Sequence, residues 1–260
     1  MAGAEAVGGA AGAVAGRTTP PVFLCDDGSL RTAAVVRLAG PEGRHATTVR
    51  RIGPGERVDL TDGQGLLARC VVAGARAGEL ELAVQERVTW PAPRCRVIVA
   101  QAILKGDRGE LAVELMTEVG VDVIVPWAAE RCVARWRPDR DSLGRWRSTA
   151  REAAKQSRRS WFPELSPSVR TAELAGRVAD ADLAVLLDPA AGCPMTELAL
   201  PDQGSVLLVV GPEGGVTETE AAALTGAGAV TARLGPTVLR GSTAGAVAAA
   251  LTLSRCGRWA

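Results

Sequence analysis

The spacing of apolar positions changes at about residue 90 and divides the chain there. Before that point the apolar runs are short: Ala33–Leu38, Arg57–Leu60, Leu66–Val72 and Leu80–Val84. Turn signals separate them, among them Gly40-Pro41, Gly53-Pro54-Gly55 and Asp62-Gly63. Short strands at such spacing predict a small β-barrel over residues 22–90. Trp90-Pro-Ala-Pro93 reads as a stiff linker. Beyond it, Arg96–Gln101 has the continuous apolar character of a buried strand. Leu111, Leu115 and Val119, and Ala112 with Met116, then recur at the i, i+4 interval of a helix over 107–119. Asp107 is placed to cap that helix and Gly120 to end it. With Val121–Val125 as the next strand, the segment is a β-α-β unit, the seed of a parallel sheet. The same pattern predicts a basic helix over 142–159, strands at Asp182–Leu187, Val206–Val210 and Val230–Leu234, and helices over 217–226 and 242–255. Thr217 and Glu220 have the spacing of a capping box.

Charge adds a partner to this α/β outline. The 260 residues carry a net charge of only +1. Residues 131–170 nevertheless hold eleven basic against four acidic side chains. Only two basic residues are lysines and tyrosine is absent, so compositional bias accounts for the preference for arginine. Bias does not account for its clustering, and a cationic strip on a near-neutral protein is the footprint of nucleic acid. The six cysteines are scattered with no Cys-x-x-Cys pair, and His45 is the single histidine, so no metal site is expected. Free thiols fit a reducing cytoplasm. No apolar run approaches a membrane span. Residues 1–19, mostly alanine and glycine, lack the parts of a signal peptide and read as a disordered tail.

Two glycine-rich stretches carry the chemistry. Gly211-Pro-Glu-Gly-Gly215 follows the strand Val206–Val210, and Leu234-Gly-Pro-Thr-Val-Leu-Arg240 comes at the end of the strand Val230–Leu234. Loops at the carboxyl ends of parallel strands are where open sheets bind ligands. Glycine there lets backbone amides approach a ligand closely. Two such loops predict one pocket gripping one cofactor. The glycine-rich Rossmann fingerprint is missing after the first strand, which argues against an ordinary Rossmann enzyme.

Six motifs occur in order: Lys105-Gly-Asp-Arg108, Glu114–Pro126, Glu130-Arg-Cys132, Gln156-Ser-Arg-Arg159, Gly211–Gly215 and Leu234–Arg240. Together they resemble the ribosomal RNA small subunit methyltransferase E family of the SPOUT superfamily, from about Val22 to the C-terminus. The resemblance implies a PUA-like barrel over 20–90 and a parallel-sheet SPOUT domain with a C-terminal trefoil knot over 94–260. It further implies a homodimer, S-adenosylmethionine as methyl donor, and N3 of a uridine in 16S rRNA as acceptor. Gly241-Ser242 stands where many members carry Thr-Glu, which removes one carboxylate from the candidates for a base. Lys155 and Arg158 replace a frequent glutamate and glycine, and both changes make the strip more positive.

These lines set the expected site. Leu187, Asp188, Gly211, Glu213, Gly214, Gly215, Leu234, Gly235, Leu239, Thr243 and Ala244 are expected to hold the donor. Glu213 is suited to a ribose hydroxyl or to the sulfonium charge. Arg240 and then Arg159 are expected to stabilise the uridine anion or grip its phosphate, the alternative for each being a structural ion pair. Lys105, Arg108, Arg131, Lys155 and Arg158 are expected to meet RNA, with a solvated helix start the alternative for the first two. Arg131 also has Glu130 or a dimer contact as a possible partner. His45 is expected to be structural, and Trp136, Trp146 and Trp161 either stack on bases or pack. Two rival readings are an enzyme using the glycine loops for nucleotide phosphates and a noncatalytic RNA-binding or ribosome-assembly protein.

Overall fold

The computed structural model describes residues 19–26, 28–136 and 141–259. All but Thr19 of the alanine and glycine segment, and Arg137 and Arg140 of the basic strip, lie outside them. The N-terminal sheet is built from β1 (Val22–Leu24), β2 (Val35–Leu38), β3 (Arg57–Thr61), β4 (Leu66–Arg76) and β5 (Glu79–Thr89), in the order β1-β3-β4-β5-β2. Only the β1–β3 pair is parallel. A short helix, α1 (Gly40–Arg44), follows β2. Phe23, Val36, Leu38, Val58, Leu60, Cys70, Leu80 and Leu82 form the core of this unit. β4 and β5 run well past the ends that hydrophobicity marks. Their distal parts are largely exposed, Ala73–Arg76 in β4 and Gln85–Thr89 in β5, and backbone pairing rather than burial continues them.

The C-terminal sheet contains six parallel strands: β6 (Cys95–Ala102), β7 (Val123–Trp127), β8 (Glu164–Leu165), β9 (Leu183–Leu187), β10 (Gly204–Val210) and β11 (Val230–Ala232). Their order is β11-β9-β10-β6-β7-β8. The helices are α2 (Arg108–Val119), α3 (Ser142–Gln156), α4 (Thr171–Asp180), α5 (Glu218–Gly226) and α6 (Gly241–Arg255). Alternate residues of the central strands face opposite layers. Val97, Val99, Val206 and Leu208 pack with side chains of α2, α3 and α6. Ala100, Val125, Leu207 and Val209 pack with those of α4 and α5. Both faces are thus covered, as a parallel sheet requires. Strand order reverses between β6 and β10, and that reversal opens a crevice at their carboxyl ends.

Two of the three helix-end signals read from the sequence act as expected. Gly120 ends α2 in the left-handed conformation (φ 112°), and Thr217 with Glu220 forms the expected box on α5. Asp107 precedes α2 but its side chain makes no capping hydrogen bond.

The two sheets meet along α3 and the residues after it. Lys155 is buried and binds Glu42 at 2.9 Å and Glu152 at 2.8 Å. Arg158, in the left-handed region (φ 57°), donates to the Pro20 carbonyl at 2.9 Å. Gly65 (φ 97°) donates to the Ser160 carbonyl at 2.8 Å. A Cβ at Gly65 would lie 2.6 Å from the Trp90 carbonyl oxygen and 2.7 Å from the Trp161 ring, so no other residue fits. Trp161 donates to Trp90 O at 3.1 Å, and Trp136 packs edge-to-face on the buried Trp146. Of the described residues, no helix is long and apolar enough to cross a membrane, and no cluster suits a metal ion.

Candidate active site

The loops after β9, β10 and β11 leave the same end of the sheet, because parallel register aligns Val209 with Leu186 and Ala232 with Leu187. They enclose a cavity of about 540 Å³, a size suited to a cofactor or drug-sized ligand. Leu187, Asp188 and Pro189 form one wall, Gly211, Glu213, Gly215 and Val216 a second, and Leu234, Gly235 and Thr237–Gly241 a third, with Ala244 behind them. Nine of the eleven residues expected around a donor therefore line one space. Thr243 and Gly214 do not line it.

Each wall is fixed by its backbone. Asp188 N donates to Ala232 O at 3.0 Å and extends the ladder past β9, while its carboxylate accepts from Ala190 N at 2.8 Å. Gly215 N closes a turn on Pro212 O at 2.9 Å. At Gly211 an added Cβ would lie 2.7 Å from Val216 Cγ2, so only glycine lets the β10 loop fold back this tightly. Arg240 precedes α6, and its carbonyl accepts from Thr243 N and Ala244 N, both at 2.9 Å.

Below the β10 loop, Glu220 ties three segments together. Its carboxylate accepts from Glu130 N at 2.9 Å, from Thr171 Oγ1 at 2.9 Å and from Thr217 N at 3.2 Å. Burial pushes this carboxyl up, but those hydrogen bonds outweigh burial and hold it below the usual carboxylate range. Arg131 braces the same loop. Its guanidinium donates to Gly214 O at 3.4 Å, and a Cβ at Gly214 would lie 3.1 Å from Arg131 Cβ.

The arginines divide by whether they are already committed. Arg240 is exposed on the cavity wall, and Arg108 lines the same wall; neither side chain makes an ion pair or hydrogen bond among the described residues. Arg159 has a different fate from the one its motif suggests. It is buried beneath α2, donating to Thr117 O at 2.9 Å and Val121 O at 2.6 Å, with Asp122 3.8 Å away. Burial lowers its guanidinium to about 10, with Asp122 only partly opposing the shift. It lines none of the donor-site cavity and locks α2 to β7. Lys155 likewise is corrected from an RNA contact to a buried tie between the sheets, whereas Arg131 stays exposed while reaching the Gly214 carbonyl. Lys105 and Arg108 are exposed at the start of α2, and Lys105 N donates to Glu213 Oε1 at 3.4 Å. Pro189 joins Asp188 in the wall expected after β9, whereas Val216, Thr237 and Val238 are wall residues that sequence reasoning missed. Thr237 and Val238 lie inside the Leu234–Arg240 stretch, which was the available signal, and Val238 is left 77% exposed there.

Residues 91–253 match the model of an RNA methyltransferase domain, and residues 38–85 that of an RNA methyltransferase PUA domain. The ribosomal RNA small subunit methyltransferase E of Mycobacterium bovis is 49% identical over 234 residues, which is 88% of this chain and 89% of that protein. The chain belongs to the ribosomal RNA small subunit methyltransferase E family. Among solved structures, the family member from Neisseria gonorrhoeae bound to S-adenosyl methionine is similar at a TM-score of 0.81 and 26% identity. That likeness covers 91% of this chain and 98% of the other. A putative methyltransferase from Legionella pneumophila, in complex with the bound cofactor SAM, is similar at a TM-score of 0.78 and 25% identity, covering 92% and 95% of the two chains. The N-terminal unit is accordingly PUA-like and the parallel sheet SPOUT-like. The cavity residues fit the cofactor named in those structures: a glycine-rich backbone cradle, apolar walls and two carboxylates, Asp188 and Glu213, for a ligand bearing positive charge.

Proposed function

We infer that this protein is an S-adenosylmethionine-dependent methyltransferase of 16S rRNA, and that it modifies N3 of a uridine. The observation that carries the reading is the shared cavity of the β9, β10 and β11 loops in a chain of this family. Leu187, Asp188, Gly211, Glu213, Gly215, Leu234, Gly235, Leu239 and Ala244 would hold the donor, which supplies an electrophilic methyl group. Glu213 would face its charge. Gly214 and Thr243 act from behind the wall, through loop shape and the first turn of α6.

Methylation at N3 removes an imide proton and spreads negative charge over N3, O2 and O4 of the base. A cation held without a partner at the cavity wall stabilises that charge without first breaking an ion pair. Arg240 meets this condition, so Arg240→Ala is expected to lower turnover about a hundredfold while donor affinity changes little. Equal losses in both would mean that it grips the donor instead. N3 lies on the pairing edge, so the uridine must be unpaired or flipped out. RNA contact is assigned to Lys105, Arg108 and Arg158, joined by Arg50, Arg57 and Arg69 around an open cleft at the domain junction.

The protein is proposed to act in the cytoplasm as a homodimer. Thr243, Val247, Ala250 and Leu251 leave a half-exposed, largely apolar stripe on α6, which supports a partner surface. The knot implied by the family belongs to this proposal, and the insertion of β10 between β6 and β9 supports it. The deciding experiment incubates the protein with labelled donor and small subunits from a strain lacking the gene, followed by nucleoside mass spectrometry. The expected product is 3-methyluridine. A different methylated nucleoside would overturn the assignment of acceptor atom.

A further inference from the structure

A second cavity, about 750 Å³, opens beside the first on the loop after β6 and the start of α2. Lys105, Asp107, Arg108, Leu111, Val133 and Glu213 line it. Arg108 and Glu213 belong to the walls of both cavities, whereas two clefts at the domain junction share no wall residue with the first. Leu111 and Val133 are 44% and 65% exposed, apolar side chains from two different segments left facing solvent on one space. Around them stand two cations that have no side-chain partner among the described residues and two carboxylates, one of which, Glu213, accepts the Lys105 amide at 3.4 Å.

Methyl transfer needs its reacting atoms in line and about 3–3.5 Å apart, so the acceptor must occupy space contiguous with the donor's. A pyrimidine has two apolar faces and a polar edge, and this wall offers apolar side chains with charged groups beside them. We propose that the second cavity is the acceptor-base subsite, in which the target uracil lies against Leu111 and Val133 with Glu213 accepting its N3 proton. Lys105 and Arg108 face the charge that develops on the edge. In the step, the N3–H bond breaks and the proton passes to the Glu213 carboxylate. The N3 electron pair forms the bond to the methyl carbon, and the electrons of the sulfur–methyl bond stay on sulfur as a neutral thioether. Asp107 lines the second cavity alone; Glu213 lines both, which places it where donor and acceptor meet.

This inference rests on the methyltransferase reading, and the test separates the two. A 16S rRNA fragment with 4-thiouridine in place of uridine is crosslinked to the protein in the presence of S-adenosylhomocysteine. The crosslink is expected in the tryptic peptides spanning 109–131 or 132–135, which hold Leu111 and Val133. Leu111→Asp and Val133→Asp, at exposed positions, are expected to melt as the unaltered protein does and to bind donor within about twofold of it. Their single-turnover methyl transfer should fall about a hundredfold. Glu213→Gln, assayed at saturating donor because Glu213 also lines the donor cavity, should keep the crosslink and lose the transfer. Crosslinks confined to the N-terminal sheet, transfer at the unaltered rate in both Asp variants, or full transfer by Glu213→Gln would overturn the subsite while leaving the enzyme reading intact. Failure of the unaltered protein to methylate any 16S uridine would overturn both.

Discussion

Gly211 and Gly235 look alike in the sequence, yet a Cβ meets Val216 at 2.7 Å in one and nothing within 4 Å in the other. Gly211→Ala must therefore displace Val216 or the loop, at a cost of about 1–3 kcal/mol, and should weaken donor binding. Gly235→Ala should leave stability within about 0.5 kcal/mol and affect only the ligand. Thermal melts paired with donor titration calorimetry distinguish these outcomes. Equal melts for both would mean the β10 loop is not tightly folded. Glu220 gives a pH test at the same scale. Its folded carboxyl lies below its ordinary 4.5, so its stabilisation is present above that pH and is lost as pH falls through the lower folded value. The stability gap between the unaltered protein and Glu220→Gln, from urea unfolding, should be largest near neutrality and shrink below about pH 4.5. A gap that stays constant into acid would show that Glu220 is not held ionised.

Elements carry the loops to the cavity, and α5 is the one whose start bears most directly on it. Thr217 accepts from Glu220 N at 3.2 Å and donates to the carboxylates around it. Thr217→Ala is expected to cost about 1–2 kcal/mol, and amide hydrogen exchange should quicken through 211–220 before it does in β10. Unchanged exchange there would mean the box does not hold the β10 loop. At this scale the sequence was most legible where a helix or buried strand has its own period. α2, α5, α6, β6 and β10 stand within a residue or two of where their apolar spacing puts them. β1, the two-residue β8 and α4 escaped because they are short or lack a strong turn signal. Leu174 and Val178, the buried pair of α4, lie in a segment otherwise rich in alanine, which blurs the period.

The whole molecule depends on how the PUA-like sheet is held to the SPOUT-like one. Lys155, with a side chain only 6% exposed, binds Glu42 from the first unit and Glu152 from the second. Truncating it leaves the half-buried Glu42 with only the Leu24 amide at 3.3 Å and no countercharge, a loss of about 1–3 kcal/mol. Lys155→Ala should therefore speed proteolysis at the Trp90–Pro93 linker and lower affinity for structured rRNA, with donor binding kept. Loss of donor binding instead would mean that the junction supports the SPOUT-like sheet itself. The same buried pair explains why charge clustering over-read the basic strip. Lys155 and Arg159 are spent inside the protein, and Arg131 is bound to the β10 loop.

By itself the sequence determined the α/β class, most helices and strands of the second half, and the succession of two glycine-rich loops. Those features rest on local period, turn chemistry and motif order, all of which are written along the chain. Which arginines remain uncommitted, Arg108 and Arg240 rather than Arg159, was decided only in three dimensions. So was the contact of a second cavity with the first through Glu213. A side chain's availability depends on the carbonyls and carboxylates that folding brings beside it, and for Arg159 those come from Thr117, Val121 and Asp122, some forty residues away.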